Sequence, residues 1–132
     1  MITITKRQYN IGLAVWMIII LVLLLLPASS FSNTPKFINI PHADKIVHFG
    51  LFGVLSFLLY HNLRNIKQNF LINKYLLTVI VVSVFGFLTE VLQGLMYNTA
   101  KRSFSLYDWL FDTISAILIA FCLYLYYRHR KK

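Results

Sequence analysis

The side chains that could do chemistry fall in three short segments, and all four acidic residues of the chain lie there. These are Asp44, Glu90, Asp108 and Asp112, each within or at the edge of a hydrophobic run. A soluble protein instead spreads its acids over the surface. Spacings of three or four residues place side chains on one helix face. The pairs are Asp44 with His48, Glu90 with Gln93, and Asp108 with Asp112, and Ser105 and Ser115 extend the last stripe.

Two kinds of site chemistry fit these segments. If Lys45, Arg102 and a protonated His48 dominate, the site suits a phosphate or carboxylate head group. Arg102 would then make bidentate contacts, and His48 would act as acid or base near neutral pH. If the carboxylates dominate, the segments hold enough ligands for a divalent metal, which needs three or four atoms converging at about 2.0 to 2.6 Å.

Several patterns argue against a metal or a serine nucleophile. The spacing from His42 through Asp44 to His48 is not a specific metal signature, and His42 precedes the helix. Ser105 at a helix start is typical of an N-cap, and neither a Gly-x-Ser-x-Gly elbow nor a Ser-x-x-Lys pair is present. The basic rim of Lys45 and Arg102 favours an anionic ligand, so we assign no metal ligand and leave the cofactor unknown.

The composition identifies the elements that must position these residues as membrane helices. The chain has 132 residues, of which 58% are hydrophobic and only 13% charged, far from the average soluble domain. Four apolar runs reach the roughly 20 residues that span a bilayer. We predict an all-α membrane protein, a single domain over residues 1–132 with four transmembrane helices in a compact bundle. The predicted helices are 9–27, 44–63, 75–97 and 105–127.

Three features of the chain refine this prediction. The first run ends at Pro27 and small residues, which also fits a cleaved secretory signal, although we favour a retained helix. Residues 31–43 contain Pro35 and Pro41 and are predicted to be an irregular connection that serves as a lid over the helix ends. The lone Cys122 excludes an internal disulfide and a thiolate metal site.

The distribution of basic residues predicts the orientation. Of the 13 Lys and Arg residues, nine lie on one side and four (Lys36, Lys45, Lys101 and Arg102) on the other if the chain crosses the membrane four times. Positively charged flanks stay cytoplasmic, so both termini are predicted inside and the three polar segments meet at the outer end. Glu90 and Asp112 then lie at matching depth, roughly 10 Å below the outer interface. The basic residues flank apolar runs, which argues against nucleic acid as a partner.

A buried polar cluster has three competing explanations. An ionisable group within the hydrocarbon costs at least about 2.5 kcal/mol, so Glu90, Asp112 and His48 should face the bundle interior. In the structural interpretation they only hold helices together, with Gln93 capping the network, but such contacts average only about 0.6 kcal/mol. A binding or reaction site is favoured, and a proton relay is the weakest alternative because no acid occupies the inner half of the membrane.

Three motifs in this order resemble the VanZ-like family of small bacterial membrane proteins. They are Asp44-Lys45-x2-His48-Phe49, Glu90-x2-Gln93 and Arg102-x2-Ser105-x2-Asp108, within a resemblance that spans about residues 41–120. The family name comes from a protein associated with resistance to a glycopeptide antibiotic, which implies work in the cell envelope. The chain departs from the family pattern at Asp112, Ser115 and Ile119, where the family usually has asparagine, glycine and another small residue.

The resemblance and the residue chemistry together lead to a hypothesis for the site. Candidate catalytic residues are Asp44, His48, Glu90 and Asp108, and candidate binding residues are Lys45, Gln93, Arg102, Ser105 and Asp112. We expect a multi-pass protein of the bacterial cytoplasmic membrane that contacts membrane lipid. It would bind, and as an enzyme modify, an anionic envelope molecule such as a lipid-linked precursor. The alternative is a non-catalytic structural or assembly partner, and the sequence does not decide whether the protein is an enzyme.

Overall fold

A computed structural model of the chain describes residues 5–27, 43–64, 73–101 and 103–130. These residues form five helices and contain no strand. The helices are α1 (Lys6–Leu25), α2 (Ala43–Arg64), α3 (Lys74–Leu95), α4 (Tyr97–Ala100) and α5 (Leu106–His129). By length and composition, α1, α2, α3 and α5 can each cross a membrane. The predicted all-helical fold with four long apolar helices is therefore confirmed.

The helix ends differ from the predicted ones for local reasons. The first helix begins at Lys6, before residue 9, because Thr5 and Gln8 form a capping box. The third helix ends at Leu95, before residue 97, and Met96 makes a turn with its N–H bonded to the carbonyls of Leu92 and Gln93. The single turn of α4 then ends at Lys101, whose φ of 54° is left-handed.

Contacts at the helix ends define an up-down-up-down bundle. At one end, Tyr9 of α1 stacks on His61 of α2, and His61 contacts Tyr127 of α5. Tyr60 stacks there on Tyr75, which lies in the first turn of α3. We call this the aromatic end. At the opposite end α1 and α3 finish while α2 and α5 begin, and we call it the acidic end because Glu90, Asp108 and Asp112 lie towards it.

The bundle core combines apolar side chains with small residues that let the helices approach closely. Phe52, Val82, Ile20 and Ala116 are buried, and α1 joins the core through Ile20. Many large apolar side chains elsewhere are exposed and suit contact with lipid, including Val84, Ile114, Ile117 and Phe121. Small residues dominate helix interfaces in membranes because lipid tails are as apolar as the core.

Ser115 shows how α5 packs closely on α2 although it carries a polar side chain at the interface. Its side chain is fully buried, and its Oγ donates a hydrogen bond to the Phe49 carbonyl on α2 at 2.7 Å. A Cβ on the facing Gly53 would lie only 2.9 Å from this Oγ. The facing helix therefore supplies the space, and the hydroxyl satisfies its donor across the interface.

Candidate functional site

The centre of the acidic end is His48, which lies in the second turn of α2 and is only 4% exposed. Its Nδ1 lies 3.1 Å from Oδ1 of Asp112 on α5 and 3.7 Å from Oε1 of Glu90 on α3. Glu90 and Asp112 are fully buried. One donor atom from each of the three side chains lies within 4.8 Å of the others. We call these three residues the buried triad.

Glu90 is held in place by the start of α5. Its Oε2 accepts a hydrogen bond from the backbone N–H of Ser105 at 2.9 Å. Ser105 is also the N-cap of α5, as predicted, because its Oγ accepts from the N–H of Asp108 at 3.3 Å. The residue that starts α5 thus also joins this helix to α3.

An ion pair between Lys45 and Asp108 lies beside the buried triad. Nζ of Lys45 is 3.4 Å from Oδ1 of Asp108, and the two side chains are 22% and 11% exposed. This pair is more accessible than the buried triad. It forms a partly exposed rim beside the buried triad.

Three carboxylate oxygens in this region are buried and accept no hydrogen bond from the described residues. They are Glu90 Oε1, Asp108 Oδ1 and Asp112 Oδ2. Asp108 Oδ1 has its ion pair with Lys45, whereas the 3.7 Å from Glu90 Oε1 to His48 Nδ1 is too long for a hydrogen bond. A buried acceptor without a partner costs free energy, so such oxygens in the same site require an explanation.

The chain as a whole matches a known protein family. A model of the VanZ/LLP1 family matches residues 3–127, nearly the whole chain. The chain belongs to the VanZ/LLP1 family. No curated protein and no solved structure matches it. The resemblance seen in the motifs is therefore confirmed, and membership of VanZ/LLP1 together with four membrane-capable helices indicates a multi-pass membrane protein related to the cell envelope.

The structure of this VanZ/LLP1 protein brings together most of the predicted site residues. Those that meet at the acidic end are Lys45, His48, Glu90, Ser105, Asp108 and Asp112. They come from α2, α3 and α5, the three helices on which the site was predicted. Their proposed roles in catalysis and binding are separate from this placement and stay predictions.

Gln93 does not cap this network as the structural interpretation expected. It is buried, and its Nε2 donates to the carbonyl of Leu24 at 2.9 Å. The carbonyls in the last turn of a helix have no partner within the helix, and Gln93 satisfies one of them at the end of α1. Gln93 therefore joins α1 to α3.

Several predicted features lie outside the described residues. They are His42, the side chain of Asp44, Arg102, and the predicted lid except for its last residue. The backbone of Asp44 is described and lies in the first turn of α2, which begins at Ala43. The predicted start of this helix at residue 44 is therefore one residue late.

Sequence reasoning did not single out the buried triad as a group of metal-ligating atoms. Its three members come from three helices and are separated by 42 and 22 positions, so no short motif links them. Two signals pointed towards it: the matching depth of Glu90 and Asp112, and the insertion cost, which predicted that these two residues and His48 face the bundle interior. A second missed feature is the contact of α3 with α5, where Nε1 of Trp109 donates to the Ser83 carbonyl at 3.0 Å.

Two surface clefts along α5 lie towards the aromatic end. One, of about 530 Å³, is lined by residues that include Phe57, His61 and Tyr127. The other, of about 450 Å³, is lined by residues that include Tyr75 and Tyr124. Neither cleft includes a residue of the predicted site.

Proposed function

We propose that this protein is a multi-pass protein of the bacterial cytoplasmic membrane that binds an anionic envelope molecule at its acidic end. Both termini would lie in the cytoplasm, and the acidic end would face outward. The positive-inside rule supports this orientation, because nine of the 13 Lys and Arg residues then lie inside and four outside. The head group of a lipid-linked precursor would reach the acidic end at the level of the outer interface.

One observation carries the proposal: the partly exposed ion pair of Lys45 and Asp108 lies beside the ionisable side chains of the buried triad. Lys45 would contact the anionic group, and the sequence places Lys101 and Arg102 near the same end. Ser105 and Asp112 would support the bound state by fixing the residues around it. In an enzymatic version, Asp44, His48, Glu90 and Asp108 would supply the reacting groups.

The same contacts also favour a second candidate, a purely structural role. His48 with Asp112 joins α2 to α5, and Glu90 with Ser105 joins α3 to α5. Polar contacts between membrane helices average about 0.6 kcal/mol, well below the cost of about 2.5 kcal/mol for an ionisable group at the bilayer centre. This imbalance supports a binding site over a structural cluster.

A binding measurement distinguishes the two candidates. The purified chain in phosphatidylcholine nanodiscs is titrated with farnesyl diphosphate, a short lipid-linked diphosphate, by calorimetry. We expect saturable binding that weakens at least about tenfold in Lys45→Met, a loss of about 1.4 kcal/mol. Lys45→Arg should retain it because the charge remains. The matched control is Lys74→Met, a lysine change at the aromatic end.

Equal binding by Lys45→Met and the unchanged chain would contradict the proposed contact.

In cells that lack the gene, complementation adds a functional test. Glu90→Gln and Asp108→Asn should accumulate as folded protein but fail to restore envelope phenotypes such as glycopeptide susceptibility. The control Asn62→Ala, at the aromatic end, should restore them. Loss of folded protein in both carboxamide variants would favour the structural role.

A further inference from the structure

We infer that the buried triad of His48, Glu90 and Asp112 is a binding site for a divalent transition-metal ion, best matched by Zn²⁺. The inference concerns the ligands of an ion, which the proposed function does not assign. Its last step, in which the ion contacts the anionic head group, rests on the proposed function. Binding of the ion to the triad does not rest on the proposed function, so the metal site and the proposed function can be tested separately.

The donor atoms of the triad have separations that suit one shared ion. Zinc binds imidazole nitrogen and carboxylate oxygen at about 2.0 to 2.2 Å, which in tetrahedral geometry places neighbouring ligands about 3.3 to 3.6 Å apart. His48 Nδ1 lies 3.1 Å from Asp112 Oδ1 and 3.7 Å from Glu90 Oε1. One donor atom from each residue lies within 4.8 Å of the others. Small rotations of the side chains would therefore complete a three-ligand site.

An independent observation indicates that the triad is built to receive a ligand. Glu90 is fully buried, and its Oε1 accepts no hydrogen bond from the described residues although it points towards His48. Asp112 is also fully buried, and its Oδ2 is likewise unpartnered. Buried carboxylate oxygens normally have partners, and a bound cation would satisfy Oε1 of Glu90.

The surroundings of Glu90 match those of a metal ligand. Its Oε2 accepts the Ser105 N–H at 2.9 Å, which orients the carboxylate and leaves Oε1 facing His48. Ligating carboxylates are usually held by such outer hydrogen bonds. Ser105 thus acts as a positioning residue, and the N-terminus of α5 supplies the support for a ligand on α3.

Charge also favours an ion in the triad. With His48 neutral and both carboxylates ionised, as metal ligation requires, the triad would carry a charge of −2, which one divalent cation balances. The Lys45 ammonium is paired with Asp108, which lies beside the triad. Charges inside a bilayer are costly unless they are paired, and a bound ion often dominates the local charge.

The donor set selects among metals. Imidazole suits zinc, copper, iron and nickel, whereas magnesium and calcium prefer oxygen ligands. Three protein ligands are also the number found in zinc sites that keep a position open for water or substrate. An open position facing the Lys45 rim would let the ion contact an oxygen of an anionic head group. The ion would then offset the repulsion between that group and the carboxylates.

The test measures binding of zinc alone to the full chain. The chain is purified through an affinity tag that contains no histidine and is placed in nanodiscs. After dialysis against chelator, zinc is titrated and its stoichiometry measured by elemental analysis. We expect the unchanged chain to bind one zinc ion. His48→Ala should abolish this binding, and Glu90→Gln and Asp112→Asn should weaken the affinity for zinc at least about 100-fold. The matched control is His61→Ala, a histidine at the aromatic end, which should keep the ion. Magnesium should not compete at equal concentration.

A second readout protects the test against variants that fail to fold. Cobalt in place of zinc should give visible absorption that disappears in His48→Ala but is retained in Ser105→Ala, which keeps the backbone N–H that orients Glu90. Absence of zinc binding by the unchanged chain, or equal binding by the unchanged chain and His48→Ala, would overturn the inference.

The farnesyl diphosphate titration separates this inference from the proposed function. If zinc binds but the diphosphate does not, the metal site stands and the proposed ligand fails. If the diphosphate binds through Lys45 and zinc does not bind, the proposed function stands and the metal site fails. Binding of the diphosphate that strengthens with zinc in the unchanged chain but not in Glu90→Gln supports both.

Discussion

Asp112 occupies space that is available only because residue 86 is glycine. A Cβ on Gly86 would lie 2.9 Å from Oδ2 of Asp112 and 3.2 Å from its Cβ, with a ring carbon of Phe52 at 3.3 Å. The close approach of α3 to α5 therefore depends on a missing side chain on one helix and a buried carboxylate on the other. This relationship holds Asp112 beside His48 and underlies the first prediction.

Gly86→Ala should destabilise the bundle by about 1 to 3 kcal/mol, the usual effect of an added methyl in a closely packed site. The Asp112 carboxylate and Phe52 would have to move away. The matched control is Gly50→Ala, where a Cβ meets nothing within 4 Å, and it should be neutral or stabilising because alanine favours helix. Unfolding in SDS followed by circular dichroism measures both. Equal stability of the two variants would contradict the close packing at Gly86.

His48 and Asp112 should be energetically coupled. We expect a double-mutant cycle with His48→Ala and Asp112→Ala, measured in chelator, to show a coupling of about 1 kcal/mol, because each single change leaves the other group without its contact. The control cycle pairs Asp112→Ala with Ser56→Ala, whose hydroxyl donates to its own helix at the Phe52 carbonyl. That control should be additive within about 0.5 kcal/mol. Additivity in the His48 cycle would show that the short contact has no energetic role.

The first helix should contribute to the stability of the folded bundle. Ile20 is fully buried in the core whereas Ile18, two residues earlier, is 60% exposed. Ile20→Ala should therefore lower the free energy of unfolding by about 2 kcal/mol. This is the low end of the range for buried isoleucine, because lipid solvates α1 when it is not packed in the bundle. Ile18→Ala should change the free energy of unfolding by less than about 0.5 kcal/mol. A reversed order would mean that α1 packs through another face.

The proposed orientation is tested by reporter fusions. A reporter that works only in the cytoplasm should be active when it is joined after Arg64. A reporter that works only outside the cytoplasm should be active when it is joined after Lys101. The reason is that the aromatic end lies next to most of the basic residues, which resist transfer across the membrane. A cytoplasmic signal at Lys101 would reverse the orientation and place the acidic end inside.

Much of the architecture could be predicted from the sequence because the bilayer simplifies the problem. Apolar runs of bilayer length predicted the four long helices, and their alternating direction placed Glu90 and Asp112 at matching depth before any contact was known. Ser105 was predicted as an N-cap from its residue type alone, and the structure confirms it. These predictions depend on distance along the chain, which the sequence records directly.

The tertiary structure decided which polar groups meet. Depth did not indicate that Gln93 bonds to the end of α1, that Lys45 pairs with Asp108, or that His48 lies between two carboxylates. In a membrane bundle the lipid-facing and core-facing sides of a helix are both apolar, so hydrophobic periodicity says little about how each helix is rotated. That rotation is set by close packing at positions such as Gly86 and Gly53. The sequence by itself thus determined the helices and the level of the site, whereas only packing between helices determined its contacts.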